Sequence, residues 1–540
     1  MRSRTDRVAL LAASVALLAL GAGLAALILD DEPASLSAVG RPSTDGGVTA
    51  GPTPTSYAGR ARLEAQPVTP SVRPPKQSPR TVESLSAEIV ESSDAPATKL
   101  SPSQDPSADG GAHTLFANSL VNEGAALWIA EPHVASKGDR VLVTWNHGAA
   151  FSSNGGTSFT LVSRDEIKRG AGGYCCDQVV LYEPSRDLWI WFVQGENDAN
   201  EHNVVRIGVA NGDTEFDNRS FENWTFGAES FGELLRRVSP GLSLSETSLD
   251  YPNIALTRRH LYLAINVYHA DTYENTVVMR IALDDLAAGR KDLAWRYVAS
   301  GRGTAQLVDG ATDTMYFAHH VDTTTLRIWR WRDDEPDPST TDVPHSGYSI
   351  DLPGYSCRRI GAVSGDWCKR LKGTSITNDD RVSAGWITEH EIGFSWNANG
   401  DPARGFPFPF VMVTRFDPSS LALKDEPHIW SPDHAYQYAA ISPNARGDLG
   451  GVVIAGGGSH YWTCASVIRD DASEEQWDAR ALDVSDADAL RDETGDYLGA
   501  TPHDPGGNTW VGTCMTLDGG GQSTDVQVRL YHFGRADQND

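Results

Sequence analysis

The sequence predicts an all-β fold, a seven-bladed β-propeller, from three observations. A unit of short strand, polar turn and stronger apolar strand recurs seven times along the chain. Its copies are spaced by roughly 45–75 residues, and periods near 40–50 with four strands each signal a β-propeller. All 15 Trp fall between Trp128 and Trp510, within the stretch that carries the repeats. Six blades with one irregular insert is the alternative count.

Along the chain, Val8–Leu29 comes first, an uncharged apolar run of 22 residues. At 1.5 Å rise per residue it is long enough to span a hydrocarbon core of about 30 Å. Arg2, Arg4 and Arg7 precede it, and Asp30, Asp31 and Glu32 follow. The positive-inside rule then places everything after Asp30 outside the cytoplasm. Residues 1–29 are therefore expected to be an uncleaved membrane anchor. A cleaved signal segment is the other reading, because Ala22, Gly23 and Ala25 offer small residues for cleavage. The expected location is the cell membrane, single-pass with an extracytoplasmic propeller, or secretion if the segment is cut.

Residues 30–112 differ in composition. They hold 12 of the 29 Pro and no Trp, Phe or Cys. Such a stretch buries too little apolar surface to offset ordering its backbone, so a disordered stalk is expected. The folded domain is expected at 113–540.

The repeats follow. The first reads Glu131-Pro-His133-Val-Ala, then Lys137-Gly-Asp, then Val141–Trp145. The second runs from Asp177 through Glu183–Asp187 into Leu188, and the third from Asp250 through Thr257–His260 into Leu261. Weaker copies start near Thr304, Asp380 and Tyr438, and the last starts at Asp496. The β-branched and aromatic runs bounded by turn residues mark strands. After Asp496 only three strands remain, ending in Val526–Phe533, whereas an orphan strand, His113–Asn118, precedes the first repeat. It is expected to supply the outer strand of the last blade, closing the ring and removing a sheet edge. Short helical turns are expected near Phe231–Arg237 and Ser485–Arg491.

Composition narrows function. The 540 residues are 40% hydrophobic and 22% charged, as in a globular protein, with a formal net charge of −27. That charge opposes binding to nucleic-acid phosphates, which needs Lys and Arg, and to anionic lipid. The membrane is expected to be met through the N-terminal segment only, and the chain is expected to be a monomer. The chain lacks a phosphate loop, a Gly-x-Ser-x-Gly elbow and zinc-ligand spacing,.

A propeller gathers the starts of its innermost strands around one mouth of the channel. Residues at those starts are His133, Asp177, Asp250, Tyr251, Gln306, Asp380, Arg381, Tyr436, Tyr438, Asp496 and Tyr497. Asp177, Asp250, Tyr251, Asp380, Arg381, Asp496 and Tyr497 are the catalytic candidates; His133, Gln306, Tyr436 and Tyr438 are the substrate-binding ones. Three chemistries fit. Paired carboxyls serve as acid and base, or acid and nucleophile, in glycoside cleavage. His133 with a Tyr could act on a uronate as in a polysaccharide lyase, Arg381 holding the substrate carboxylate. An oxygen-rich ring could also bind Ca²⁺. The plain alternative is that each Asp caps a turn or ties blades together.

The six Cys sit where oxidation is favoured if the chain is exported,. Cys357–Cys368, Cys464–Cys514 and a vicinal Cys175–Cys176 pair are the expected bridges, out of 15 connectivities that six Cys allow. His319 and His320 are adjacent in a strand, so their rings are expected on opposite faces. Phe406-Pro-Phe-Pro-Phe410 is expected to lead into a strand.

In the first repeat, Ser152-Ser-Asn154-Gly-Gly156-Thr-Ser-Phe159 resembles the Asp-box, or BNR repeat, of sialidase-like propellers, Ser-x-Asp-x-Gly-x-x-Trp. Asn154 replaces the Asp and Phe159 the Trp. Asn tolerates a left-handed turn and Gly takes positive φ, so the turn chemistry is preserved. The resemblance implies a structural role for Ser152, Asn154, Gly156 and Phe159, and a hydrolase acting on carbohydrate. The sialidase arginine triad, Tyr/Glu pair and acid/base Asp cannot be placed, and an Arg-Ile-Pro motif is absent, so the resemblance carries the fold and not the catalytic residues. The expected partner is an extracellular or cell-envelope glycan, cleaved by a hydrolase or lyase. The alternative is a non-catalytic surface propeller that binds a glycan or protein.

Overall fold

In a computed structural model of the chain, the described residues form seven antiparallel sheets, one for each sequence repeat. These residues are 49–50, 54–62, 111–122, 130–146, 148–168, 172–200, 202–269, 272–301, 303–348, 380–432, 434–457, 460–473, 476–485, 495–504, 506–517 and 526–538. The runner-up count of six blades is thereby set aside. Val8–Leu29, most of 30–112 and the Cys357–Cys368 pair lie outside the described residues. Among the described residues no helix is long and apolar enough to cross a membrane.

The innermost strands are His133–Lys137, Gln178–Glu183, Thr247–Leu256, Gln306–Leu307, Val382–Ile387, Ala435–Pro443 and Gly499–Pro502, heading blades 1 to 7. They neighbour one another in that order, and the seventh returns to the first. Blade 7 is completed by His113–Leu120, which pairs with Val526–Arg535 in register His113↔Arg535 to Leu120↔Arg529. The ring therefore closes as the orphan strand predicts. Asn122 fixes the closure, its Nδ2 donating to Val526 O at 3.2 Å and its Oδ1 accepting from Val528 N at 2.7 Å.

Part of the expected stalk is ordered instead. Tyr57–Arg62 adds a fifth strand to blade 3 by pairing with Asp292–Gly301, and Thr49–Ala50 pairs with Ser339–Pro344 of blade 4. An edge strand is held largely by main-chain hydrogen bonds, so it needs few apolar residues and escapes a composition argument. Tyr57 supplies the side-chain anchor. Its ring lies 5.7 Å from that of Tyr297, with Arg237 5.2 Å above it. Both added strands cover sheet edges.

The core lies between neighbouring blades, where apolar faces of successive sheets meet. Indoles join blades by polar contacts as well as by area. Trp510 Nε1 donates to Ser442 O of blade 6 at 2.9 Å, and Trp477 Nε1 to Pro427 O after blade 5 at 2.6 Å. Cys464 and Cys514, both fully buried, form a disulfide between blades 6 and 7. The motif turn in blade 1 joins the strands Gly148–Ser152 and Thr160–Ser163. There Ser152 Oγ accepts from Gly156 N at 2.9 Å, and Asn154 Oδ1 accepts from Ser158 N at 3.0 Å. The helix Gly232–Val238 forms close to where a helical turn is expected.

Two innermost strands carry bulges headed by a left-handed aromatic residue. Register shifts occur between Asp250 and Asn253, and between Gln437 and Ala440. Tyr251 has φ 53° and Tyr438 φ 51°. Such a conformation is strained for a bulky side chain and is retained only where surrounding contacts impose it. The first bulge re-aims Asp250 and Tyr251, which belong to the site.

Candidate functional site

Four of the seven blades deliver a carboxyl to one place. Glu131 stands two residues before the innermost strand of blade 1, Asp177 one residue before that of blade 2, Asp250 at the bulge of blade 3, and Asp496 shortly before blade 7. Glu131 is itself in the left-handed region, at φ 45°. Its carboxyl accepts from Asn146 Nδ2 at 2.6 Å and from the Asp496 amide at 3.2 Å. Gly495, at φ 104°, permits that approach, since a Cβ there would lie 2.7 Å from Glu131 Cγ.

The carboxyls perturb one another. Burial, then the charges of Asp496 and Asp177, hold Glu131 well above the ordinary carboxylic range, and it hydrogen-bonds to the carboxyls of both. Asp177 is likewise raised well above the ordinary range, first by burial and then by the charges of Asp250 and Asp496. Burial also raises Asp250, opposed by a hydrogen bond from the Gln194 side chain. Like charges this close cannot all ionise, so the cluster retains protons where isolated carboxyls would not.

Among the described residues, one cation faces them. Arg381, just before the innermost strand of blade 5, donates to Asp496 and stacks 4.0 Å from the centre of the Tyr251 ring. Tyr251 meets Tyr497 edge to face, at 5.9 Å and 85°. Burial and the neighbouring acids keep the Tyr497 hydroxyl protonated, and burial and Asp250 do the same to Tyr268. Arg381 and Asp496 keep 22% and 13% of their side chains exposed.

The remaining predicted residues fall elsewhere. Asp380 turns away from its neighbour Arg381 and accepts from the Tyr348 hydroxyl at 2.6 Å. Around Tyr348 gather His320 at 5.3 Å and Trp396 at 5.5 Å between ring centres, with His345 stacked at 6.0 Å. Burial keeps His320 and His345 neutral, lowering them to about 4 and about 3. His319 points the other way, to Trp329, as strand alternation requires. His133 ties blade 1 to blade 2, its Nδ1 accepting from Val180 N at 3.4 Å. Gln306 donates to Leu307 O within its own strand. Tyr436 is buried with its ring 4.8 Å from that of His434, and Tyr438 is in the core shared by blades 6, 7 and 1. Phe406 stacks on Phe410 at 4.3 Å, where Phe410 begins a strand.

The structure therefore divides the expected ring. It brings Asp177, Asp250, Tyr251, Arg381, Asp496 and Tyr497 together and places Asp380 in a separate His–Tyr cluster. Sequence reasoning missed Glu131, Tyr268, Gln194 and Asn146. Glu131 was within reach, because it heads the first repeat as Asp177, Asp250 and Asp496 head theirs. Gln194 and Tyr268 end second strands, and nothing in the repeat pattern marks that position.

The vicinal pair Cys175–Cys176 is bonded, with Cα atoms 3.7 Å apart, directly before Asp177. Among the described residues, no three His, Cys, Asp or Glu side chains are arranged to hold a metal ion.

No known family and no curated protein matches the chain. Several solved structures are similar to it. The α-L-arabinofuranosidase Arb93A from Fusarium graminearum is 9% identical over 77% of this chain and 97% of its own, with TM-score 0.35. An α-L-arabinanase from Penicillium chrysogenum is 12% identical over 77% and 98%, also at 0.35. The NanB sialidase from Streptococcus pneumoniae is 10% identical over 69% and 70%, at 0.33. Identities this low give no residue-by-residue correspondence.

Proposed function

We infer that the protein is a glycoside hydrolase acting on neutral glycans, with Asp250 and Asp496 as its working carboxyls. One observation carries this reading: among the described residues, four carboxyls converge on a channel mouth, and Arg381, the cation facing them there, is already committed to Asp496. Asp250, whose carboxyl burial raises above the ordinary value, is assigned as the acid toward a glycosidic oxygen,. Asp496, oriented by Arg381, offers a carboxylate to the anomeric carbon or to an attacking water,. Glu131 and Asp177, hydrogen-bonded to each other, lie behind them and keep the cluster proton-rich,. Tyr251 and Tyr497 add aromatic surface for a sugar ring,. A sialoside or uronate would place its own carboxylate among four acids, which like-charge repulsion opposes.

The N-terminal apolar run and the Pro-rich segment support export and tethering, so the substrate would be an extracellular or cell-envelope glycan met by a monomer.

A second reading draws on the His320–His345–Tyr348 cluster. Neutral imidazoles beside a protonated Tyr hydroxyl are the groups that β-elimination on a uronate requires,.

Product analysis separates these readings. The purified, oxidised protein is incubated with arabinan, galactan and glucan oligosaccharides, sialosides and uronate polymers, and products are weighed by mass spectrometry. Hydrated products from the neutral set support the hydrolase. An unsaturated uronate moves the chemistry to the His–Tyr cluster. No product from a folded protein overturns both in favour of a binding propeller.

A further inference from the structure

The vicinal disulfide lies between two fixed points. On one side the Tyr174 hydroxyl donates to Trp145 O at 2.9 Å. On the other, Gln178 Nε2 lies within hydrogen-bond reach of Trp145 O, Gly148 O and the Tyr174 hydroxyl, at 2.7, 2.9 and 2.8 Å, and its Oε1 accepts from Trp191 Nε1 at 2.8 Å. Both anchors grip blade 1, and only Cys175, Cys176 and Asp177 run between them.

Gln194 completes the clamp. Cys175 N donates to Gln194 O, and Gln194 N donates to Asp177 O, each at 3.0 Å. The same residue's side chain hydrogen-bonds to Asp250 on the next blade. One residue thus touches the disulfide segment, the Asp177 backbone and the Asp250 carboxyl. Cys175 and Cys176 are half-buried, whereas Cys464 and Cys514 are fully buried.

We propose that the Cys175–Cys176 disulfide and Gln194 form a redox-sensitive positioning element that holds Asp177 and Asp250 in the acidic cluster. The oxidised link fixes the peptide that carries Asp177. A dithiol reductant gives up two electrons and two protons, the S–S bond becomes two thiols, and the dithiol closes to its own disulfide. The released segment then lets Asp177 move relative to the groups facing it, which are Glu131, Asp250, Asp496, Arg381, Tyr174 and Tyr497. This proposal uses the geometry of the site and not the hydrolase reading, so the two can fail separately.

The test needs no substrate. Carboxyl ¹³C titrations are recorded on the oxidised protein, on protein briefly treated with dithiothreitol, and on a Cys175→Ser/Cys176→Ser variant. Asp177→Asn and Asp250→Asn assign the signals, and alkylation with peptide mapping verifies that only the vicinal link has opened. The expected result is that the Asp177 midpoint falls by about one pH unit or more once the link is open, as restraint among like charges relaxes. Gln194→Ala, which leaves the link closed, is expected to move the Asp250 midpoint. Should the double variant not fold, the reduced wild type, with Cys464–Cys514 intact, carries the measurement. Unchanged Asp177 and Asp250 midpoints with the vicinal link shown to be open would overturn the proposal.

Discussion

Arg381 and Asp496 form an ion pair across the channel mouth, between the starts of blades 5 and 7, and the guanidinium also covers the Tyr251 ring of blade 3. One side chain therefore joins three blades and compensates part of the charge that four carboxyls bring together. Removing it strands Asp496 in a partly buried, like-charged setting. Arg381→Met is expected to cost about 1–3 kcal/mol in urea unfolding at pH 7. The Arg381→Met/Asp496→Asn pair should lose less than the sum of the single changes. Strict additivity would deny the coupling.

Asp309 gives a pH signature independent of the site. Its backbone links blades 4 and 5 through Gly385 O at 2.9 Å and Ile387 N at 2.8 Å, and burial lifts its carboxyl to about 7 from 3.8. With the folded value raised, the stability this group contributes is complete below pH 3.8 and is lost as pH rises to 7. Asp309→Asn stays neutral throughout. Its unfolding free energy relative to wild type should therefore climb between pH 4 and 7, by up to about 1.4 kcal/mol per pH unit, and then level off. A difference independent of pH would contradict the assignment.

The blade 6–blade 7 disulfide closes a loop with a sequence separation of 50 between Cys464 and Cys514. Loop entropy then assigns it roughly 4 kcal/mol. Cys464→Ser/Cys514→Ser should lower the unfolding free energy by an amount of that order. An unchanged midpoint in denaturant would show that the ring is held shut by other contacts.

The motif turn in blade 1 is also a contact with blade 7. Gly156 has φ 80°, and a Cβ there would lie 2.4 Å from Leu530 Cδ2. Gly156→Ala is expected to cost about 2 kcal/mol through backbone strain and overpacking. Ser152→Ala, which removes the acceptor of the Gly156 amide, should cost about 1 kcal/mol,. Thermal unfolding of both variants tests this, and a neutral Gly156→Ala would mean that blade 7 does not press on the turn.

The periodic part of this architecture was legible from sequence, and the exceptions have physical causes. The repeats place all seven blades, and the orphan His113 strand announces the closure because a blade short of one strand leaves an edge to be covered. Tyr57–Arg62 was not legible, since an edge strand bonded through its backbone needs no apolar pattern. At the site, residues at equivalent repeat positions were expected to converge, and Asp177, Asp250, Arg381 and Asp496 do. Asp380 departs because adjacent residues alternate in direction, so Arg381 reaches the acids while Asp380 meets Tyr348. Tyr438 departs because the blade 6 bulge leaves it in the core shared with blades 7 and 1. Gln194 and Tyr268 come from second strands, whose ends meet the channel only after folding sets their register.

The hydrolase proposal places glycoside cleavage on the carboxyls at the channel mouth. Its most direct test compares product release from neutral oligosaccharides by wild type, Asp250→Asn and Asp496→Asn under identical oxidised conditions, with Tm measured for each. Each variant is expected to stay folded and to turn over at least about 10²-fold more slowly, the typical loss when a positioned acid or base is removed. Turnover within a few-fold of wild type in both folded variants would contradict it.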